Sequence, residues 1–148
     1  MTTTSERVEP ALNLQFLSHG TLETKDLDFA ERFYREFLGL NVIRMSNIAL
    51  CIRLGGDHTI VVVKTNKRSE MSLMNHNGFD VATPADVDHA YQKVLEQKEK
   101  WGIGTVTPPK LQHGSYSFYF WDADANCWEI LANPPRGYSS LFDEAYKD

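Results

Sequence analysis

The sequence predicts an α+β chain of two βαβββ modules whose sheets pack side by side and roll into a cleft. Three observations carry this prediction. Read along the chain, the elements run β-α-β-β-β, then a polar linker, then β-α-β-β-β again. A single shift that lays His19 on His76 also lays Leu22 on Phe79, Glu23 on Asp80 and Tyr34 on Tyr91, the mark of an internal duplication. A length of 148 residues, at 16.9 kDa, suits one domain made of two similar halves. The expected layout is a single domain over 1–148, with module one over about 14–66, module two over about 72–133 and a tail over 134–148.

Residues 1–13 are polar and read as loose. The run 14–24, LQFLSHGTLET, reads as a strand whose alternation puts Leu17, His19, Thr21 and Glu23 on one face. Asp26 is an N-cap for a helix over 27–38, where Phe29, Phe33 and Phe37 recur every four residues with Ala30, Tyr34 and Leu38 beside them. Gly39 is the expected stop. Strands follow over 41–45, 47–54 and 58–65, the last two joined by the Gly55-Gly56-Asp57 turn. After the polar run 65–72, a strand is expected over 73–82. Thr83, Pro84 and Asp86 then form a helix start of N-cap, N1 proline and N3 acid. That helix reaches about residue 100, ended by Gly102 and Gly104. Strands over 103–107, 115–121 and 127–132 complete module two, and the tail starts as a loop and finishes as a short helix.

Composition narrows the function classes. Lys and Arg number 15 against 20 Asp and Glu, a net charge of −5, which argues against nucleic-acid partners and anionic membrane surfaces. No run approaches the ~20 apolar residues of a membrane span, and MTTTSERVEP has no apolar signal region. Two cysteines, Cys51 and Cys127, lie in apolar runs and read as small hydrophobes, so a reducing, cytoplasmic location is expected. No phosphate loop, dinucleotide fingerprint or paired-cysteine motif is present.

His19, His76 and Glu129 draw attention together. Each falls in a predicted strand, and the two histidines are equivalent under the duplication. Glu129 interrupts the apolar run CWEILA, where a carboxylate has no packing reason to be. Two imidazoles and a carboxylate on one face of a site make a facial triad for a divalent metal, with open positions left for substrate. Taken singly, each residue has a plainer explanation as a satisfied core or surface group. His58 and His89 read as surface residues, and Trp101, Trp121, Trp128, Phe118 and Phe120 as core or as an aromatic pocket wall. Asp122, Asp124 and Asn126 have turn chemistry.

The segments LSHGTLETKDLDFAERFYREFLGL, NHNGFDVATPADVDHAY and SFYFWDADANCWEIL resemble the vicinal oxygen chelate superfamily over about residues 14–133. Its members include glyoxalase I, methylmalonyl-CoA epimerase, type I extradiol dioxygenases and the bleomycin- and fosfomycin-resistance proteins. The resemblance implies paired βαβββ modules forming a cupped mixed β-sheet with flanking helices, a metal inside the cup and a homodimer. It implies His19, His76 and Glu129 as the metal ligands, and a substrate that is a small aromatic or carries vicinal oxygens.

Within the superfamily, glyoxalase I takes a fourth ligand from the last strand of module one, where this chain has HTIVVVKT with no carboxylate. Three ligands are what the extradiol enzymes use, with Fe(II). Their signature runs His, Phe-Tyr, Asp-Pro-x-Gly, Glu. Here His113, Phe118-Tyr119, Asp122 and Glu129 follow that order, with His113 one residue too close to the Phe and with Ala123 and Ala125 in place of Pro and Gly. A histidine that titrates near neutrality suits proton transfer, and a phenol suits charge stabilisation on a substrate oxygen. The expectation is therefore Fe(II)-dependent ring cleavage of a catechol with dioxygen, with His113 as acid/base and Tyr119 as donor. Mn, Zn, Ni and Co are the alternative metals. A glyoxalase-type isomerase, epimerase or lyase and a metal-free drug-binding protein are the alternative functions.

Overall fold

Each half of the chain forms a four-stranded mixed sheet with the same strand order. The computed structural model describes residues 8–66 and 69–146. Module one contains β1 (His19–Thr24), α1 (Leu27–Arg32), β2 (Asn41–Ser46), β3 (Ala49–Arg53) and β4 (Thr59–Lys64), ordered β1-β4-β3-β2 across the sheet. Module two contains β5 (Asn77–Val81), α2 (Pro84–Glu96), α3 (Lys98–Trp101), β6 (Lys110–Gln112), β7 (Ser115–Trp121) and β8 (Cys127–Ala132), ordered β5-β8-β7-β6. In both, the first strand pairs in parallel with the last, and the remaining pairs are antiparallel. The duplication is thus a duplication of topology. A short α4 (Phe142–Ala145) ends the described tail.

Helix starts follow the caps read from the sequence. The Asp26 carboxylate accepts from the Phe29 N–H, and Thr83 and Asp86 form a reciprocal capping box with Pro84 at the first helical position. The stripe over 27–38 does not stay α-helical throughout. α1 ends at Arg32, and Phe33–Phe37 continue as a π-turn that buries Phe33 and Tyr34 while stacking Phe33 on Phe37, ring centroids 5.5 Å apart. The second helix breaks at Gln97, whose side chain accepts from the indole N–H of buried Trp101.

Three strand expectations are corrected. Residues 14–18 lie outside β1: the parallel ladder begins at His19↔Thr59, and before it only the Ser18 carbonyl, which accepts from Thr59, reaches β4. Leu14, Phe16 and Leu17 are exposed there. In 73–82, Leu73–Asn75 form a 3₁₀ turn and only Asn77–Val81 are strand, so His76 sits at the turn's C-cap and not within a strand. The run 103–107 hydrogen-bonds to the end of β7 through Gly104, Thr105 and Thr107 but forms an isolated bridge, Val106↔Phe120, in place of a strand, and the fourth strand of the sheet is Lys110–Gln112. Pro108 and Pro109 supply no backbone N–H and separate the two.

One face of each sheet meets the helices in a shared core. Leu22, Val62 and Leu50 line up across the first sheet, and Phe79, Ile130 and Phe118 across the second. Rings join the modules: Phe29 and Phe33 of module one pack edge-on against Trp101, and Tyr34 against Trp128, itself stacked on Phe79. Trp101, Trp128, Phe118 and Phe120 are therefore core. The turn 122–126 clamps the same junction. Asp122 accepts from the Trp128 indole, Asp124 accepts from the Lys25 N–H, and the Asn126 amide donates to the Glu23 carbonyl. Burial pushes the Asp122 carboxyl up to about 6 against the hydrogen bonds it accepts.

Candidate functional site

Opposite the helices, the second sheet turns a polar face outward. Register places Gly78, Glu129 and Tyr119 in one row across β5, β8 and β7, and Asp80, Leu131 and Ser117 in the next. Tyr119 and Glu129 are thus direct cross-strand partners. Only 2% of Glu129 is exposed, and its carboxylate is closely attended. Ser117 Oγ donates to Oε2 at 2.7 Å, His113 Nε2 lies 2.6 Å from the same oxygen, and His76 Nε2 lies 3.2 Å from Oε1. Burial pushes the Glu129 carboxyl up, yet hydrogen bonds from Ser117, His113 and Tyr119 outweigh it and hold the group below the ordinary carboxylate range. Tyr119 moves the other way: burial, then the adjoining Glu129, push its hydroxyl up to about 12, so it stays a donor at neutral pH.

Local backbone conformation aims both histidines. His113 and Gly114 form the two-residue turn between β6 and β7, both with positive φ, +43° and +86°. A histidine there is held in a conformation side chains rarely adopt, and its ring is directed at Glu129. His76 is fixed from behind. Its Nδ1 lies 2.6 Å from the Leu73 carbonyl, an acceptor only, so Nδ1 carries the hydrogen. The ring edge also meets Tyr119, centroids 4.9 Å apart.

His19 is elsewhere. It is an exposed residue at the start of β1, on the outward face of the first sheet, with its Nδ1 2.6 Å from Ser18 Oγ. Within one chain, then, His76, His113, Tyr119 and Glu129 come together and His19 does not join them. The two imidazoles address different oxygens of Glu129, and among the described residues no group of three or more His, Cys, Asp or Glu is arranged to hold a metal ion. Ser117 was missed by sequence reasoning, although its even spacing from Tyr119 on one strand was the available signal.

A cavity of about 660 Å³ opens beside this cluster. Its module-two wall includes His76, Gly78, Asp80, Glu129 and Leu131; its module-one wall includes Arg53, His58 and Ile60; Tyr138 of the tail also reaches it. At Gly78 an added Cβ would stand 3.3 Å from Leu131, so glycine keeps the space over Glu129 clear. The tail is seated by Gly137, where a side chain would run into the Asp80 carboxylate. Among the described residues, no helix is long and apolar enough to cross a membrane.

No protein-family model and no curated protein matches the sequence. Solved structures do match in fold. The fosfomycin resistance protein FosX of Listeria monocytogenes aligns over 84% of this chain and 98% of its own, at 22% identity and a TM-score of 0.65. A possible glyoxalase from Bacillus cereus aligns over 80% and 99%, at 23% identity and 0.64. Lactoylglutathione lyase from Agrobacterium tumefaciens aligns over 80% and 94%, at 21% identity and 0.59.

Proposed function

Starting from a fold shared with the vicinal oxygen chelate proteins, we propose that this chain is a metal-dependent enzyme on small substrates carrying two adjacent oxygens. The proposed ligands are His76, Glu129 and the His19 of a second copy. One observation carries this reading. With its Nδ1 hydrogen committed to Leu73, His76 presents Nε2 to Oε1 of a carboxylate held in its charged form. Two lone-pair atoms 3.2 Å apart meet favourably only with a cation between them, a proton or a metal. A hydrogen-bonded outer nitrogen is also what fixes the tautomer of a metal-ligating histidine.

Among the described residues β1 and β5 each have one unpaired side, and the outward face of the first sheet carries the apolar row Val61, Cys51 and Ile43, the last 64% exposed. Unpaired edges and bare apolar faces call for a partner, and a second copy laid there would bring a His19 to the pair. A homodimer is therefore part of the proposal.

A cation at this site would acidify a chelated hydroxyl and polarise the neighbouring substrate oxygen. The chain's own groups do the rest. His113, beside the carboxylate, takes or returns the substrate proton, and Tyr119 donates to a substrate oxygen. Leu131 and the Gly78 gap shape the floor of the site. The first reading of the reaction is Fe(II)-dependent ring cleavage of a catecholic aromatic with dioxygen. It is supported by the flanking His113 and Tyr119, and by β4, whose outward positions Thr59, Val61 and Val63 supply no carboxylate as fourth ligand or base. The second reading, a glyoxalase-type isomerase or lyase, is supported by the lyase and glyoxalase among the matching structures.

Metal analysis of protein purified under argon, followed by oxygen uptake with a catechol panel, separates these. Near-stoichiometric iron with oxygen uptake supports ring cleavage; bound metal with no oxygen uptake supports the second reading. His76→Ala is expected to lose metal and activity together, while Tyr119→Phe keeps metal at a lower rate. Protein that takes up no added divalent metal contradicts both readings and leaves a binding protein.

A further inference from the structure

The cavity has a second chemical feature that the metal reading does not use. Arg53 ends β3 and lines the same space as His76 and Glu129, yet its guanidinium has no hydrogen-bond or ion-pair partner among the described residues. The other arginines with defined contacts are engaged: Arg35 with Glu31 and the Val42 carbonyl, Arg44 with Asp28 and Glu31, Arg136 with Asp143. The cavity's own carboxylates do not neutralise Arg53 either. Glu129 is taken by Ser117 and the two histidines, and Asp80 accepts from the Asn133 amide.

Register places Arg53 relative to the proposed metal ligand. β3 and β4 pair as Ile52↔Ile60, so Arg53 falls opposite Thr59, and Thr59 is the register partner of His19. Ile52 is buried against the core, which puts Arg53 on the outward face together with Cys51 and His19. His19 and Arg53 thus share one face and one row, two strands apart, a separation of roughly 10 Å from the usual strand spacing. In the cavity over Glu129 the chain's own Arg53 lines the wall, and a second copy that brings its His19 brings its own Arg53 on the same row. Around Arg53 there is room: at Gly55 and Gly56 an added Cβ would meet nothing within 4 Å, and His58 adds a ring nitrogen to the same wall.

We infer that Arg53 binds an anionic group of the substrate, so that the substrate carries a metal-chelating oxygen pair at one end and an oxyanion at the other. This rests on the metal reading above for the chelated end alone. A guanidinium suits the task because its planar fork matches carboxylate and phosphonate oxygens two at a time, whereas a lysine would offer only a point charge. The carboxylate and the phosphonate share that chemistry, and the test tells them apart.

The test is calorimetric titration of the full chain, with and without Mn(II), using 3,4-dihydroxybenzoate, 3,4-dihydroxybenzylphosphonate and the neutral 3,4-dihydroxybenzamide. At least one acid is expected to bind about tenfold tighter than the amide, the scale of one charge-assisted contact at a half-open site. The tighter acid identifies the oxyanion. Arg53→Gln should abolish that preference by weakening the acid far more than the amide; Arg53→Lys should keep more of it for the phosphonate than for the carboxylate. Wild-type protein that binds neither acid more tightly than the amide, or that binds none of the three, overturns the inference, as does a preference that survives Arg53→Gln. Failure to take up Mn(II) would overturn the metal reading instead, and the acid-over-amide comparison on the metal-free protein would still decide the role of Arg53.

Discussion

The two modules share strand order, pairing sense and a helix on the same face, yet their outward faces differ. In module two the row Gly78–Glu129–Tyr119 and its neighbour Ser117 build a satisfied polar cluster around a buried carboxylate. In module one the equivalent surface is the row Thr21–Val61–Cys51–Ile43, mostly apolar, with Val61 and Cys51 half-buried and Ile43 exposed, and with His19 and Arg53 at one end. In the proposed function the two halves have different duties: one face holds the Glu129 cluster, and the other offers a wall, His19 and Arg53.

The largest expected difference between the halves is in stability. Phe118, wholly buried on the inner face of module two, should lose about 4 kcal/mol on Phe118→Ala in chemical denaturation. Ile43→Ser on the outward face of module one should move chain stability by less than about 0.5 kcal/mol while weakening self-association measured by analytical ultracentrifugation. Equal losses at the two positions would mean that the module-one face is packed within its own chain.

The junction between the modules should respond to pH with a sign set by Asp122. Its folded carboxyl is raised to about 6 from the ordinary value of 3.8, so the folded state holds the proton more tightly than the unfolded state. Stability at this group is therefore present below the ordinary value and declines as pH rises to about 6, by about 3 kcal/mol over that window. Asp122→Asn should flatten the decline in pH-dependent denaturation. Glu129 works in the opposite sense: its lowered carboxyl adds stability above the ordinary carboxylate range that is lost as pH falls through the folded value.

A smaller effect sharpens the description of the cluster. Ser117→Ala removes a donor to Glu129 Oε2 while leaving all three proposed ligand side chains in place, and should weaken divalent-metal affinity about tenfold by calorimetry. An unchanged affinity would show that the hydrogen bond serves only to bury the carboxylate.

Features with local causes were legible in the sequence. The caps at Asp26 and Thr83, the stop at Gly39 and the paired βαβββ order all follow from short-range chemistry, and the structure has each of them. The polar interruption at Glu129 pointed to the residue around which the cluster is built. What was not legible depended on register across turns. The direct pairing of Tyr119 with Glu129 is set by the compact turn at Asp122–Asn126, and counting residues through a turn does not give a face. The approach of His113 to Glu129 needs the left-handed turn at His113-Gly114 and the short β6, which the two prolines at 108 and 109 displace from the expected 103–107. His19 and His76 match in sequence, and each stands at the start of its module's first strand, but only His76 lies against Glu129.

The claim that the two unlike faces make one site is tested most directly by mixing them. His19→Ala and Glu129→Gln chains, co-expressed with different tags and purified as the mixed dimer, would be titrated with Mn(II) beside each variant alone. The account predicts no tight site in either parent and about one tight site per mixed dimer, because the intact His19 of one chain then faces the intact His76 and Glu129 of the other. A mixed dimer that binds no better than its parents, or a His19→Ala protein that binds as tightly as the unmodified chain, would contradict it.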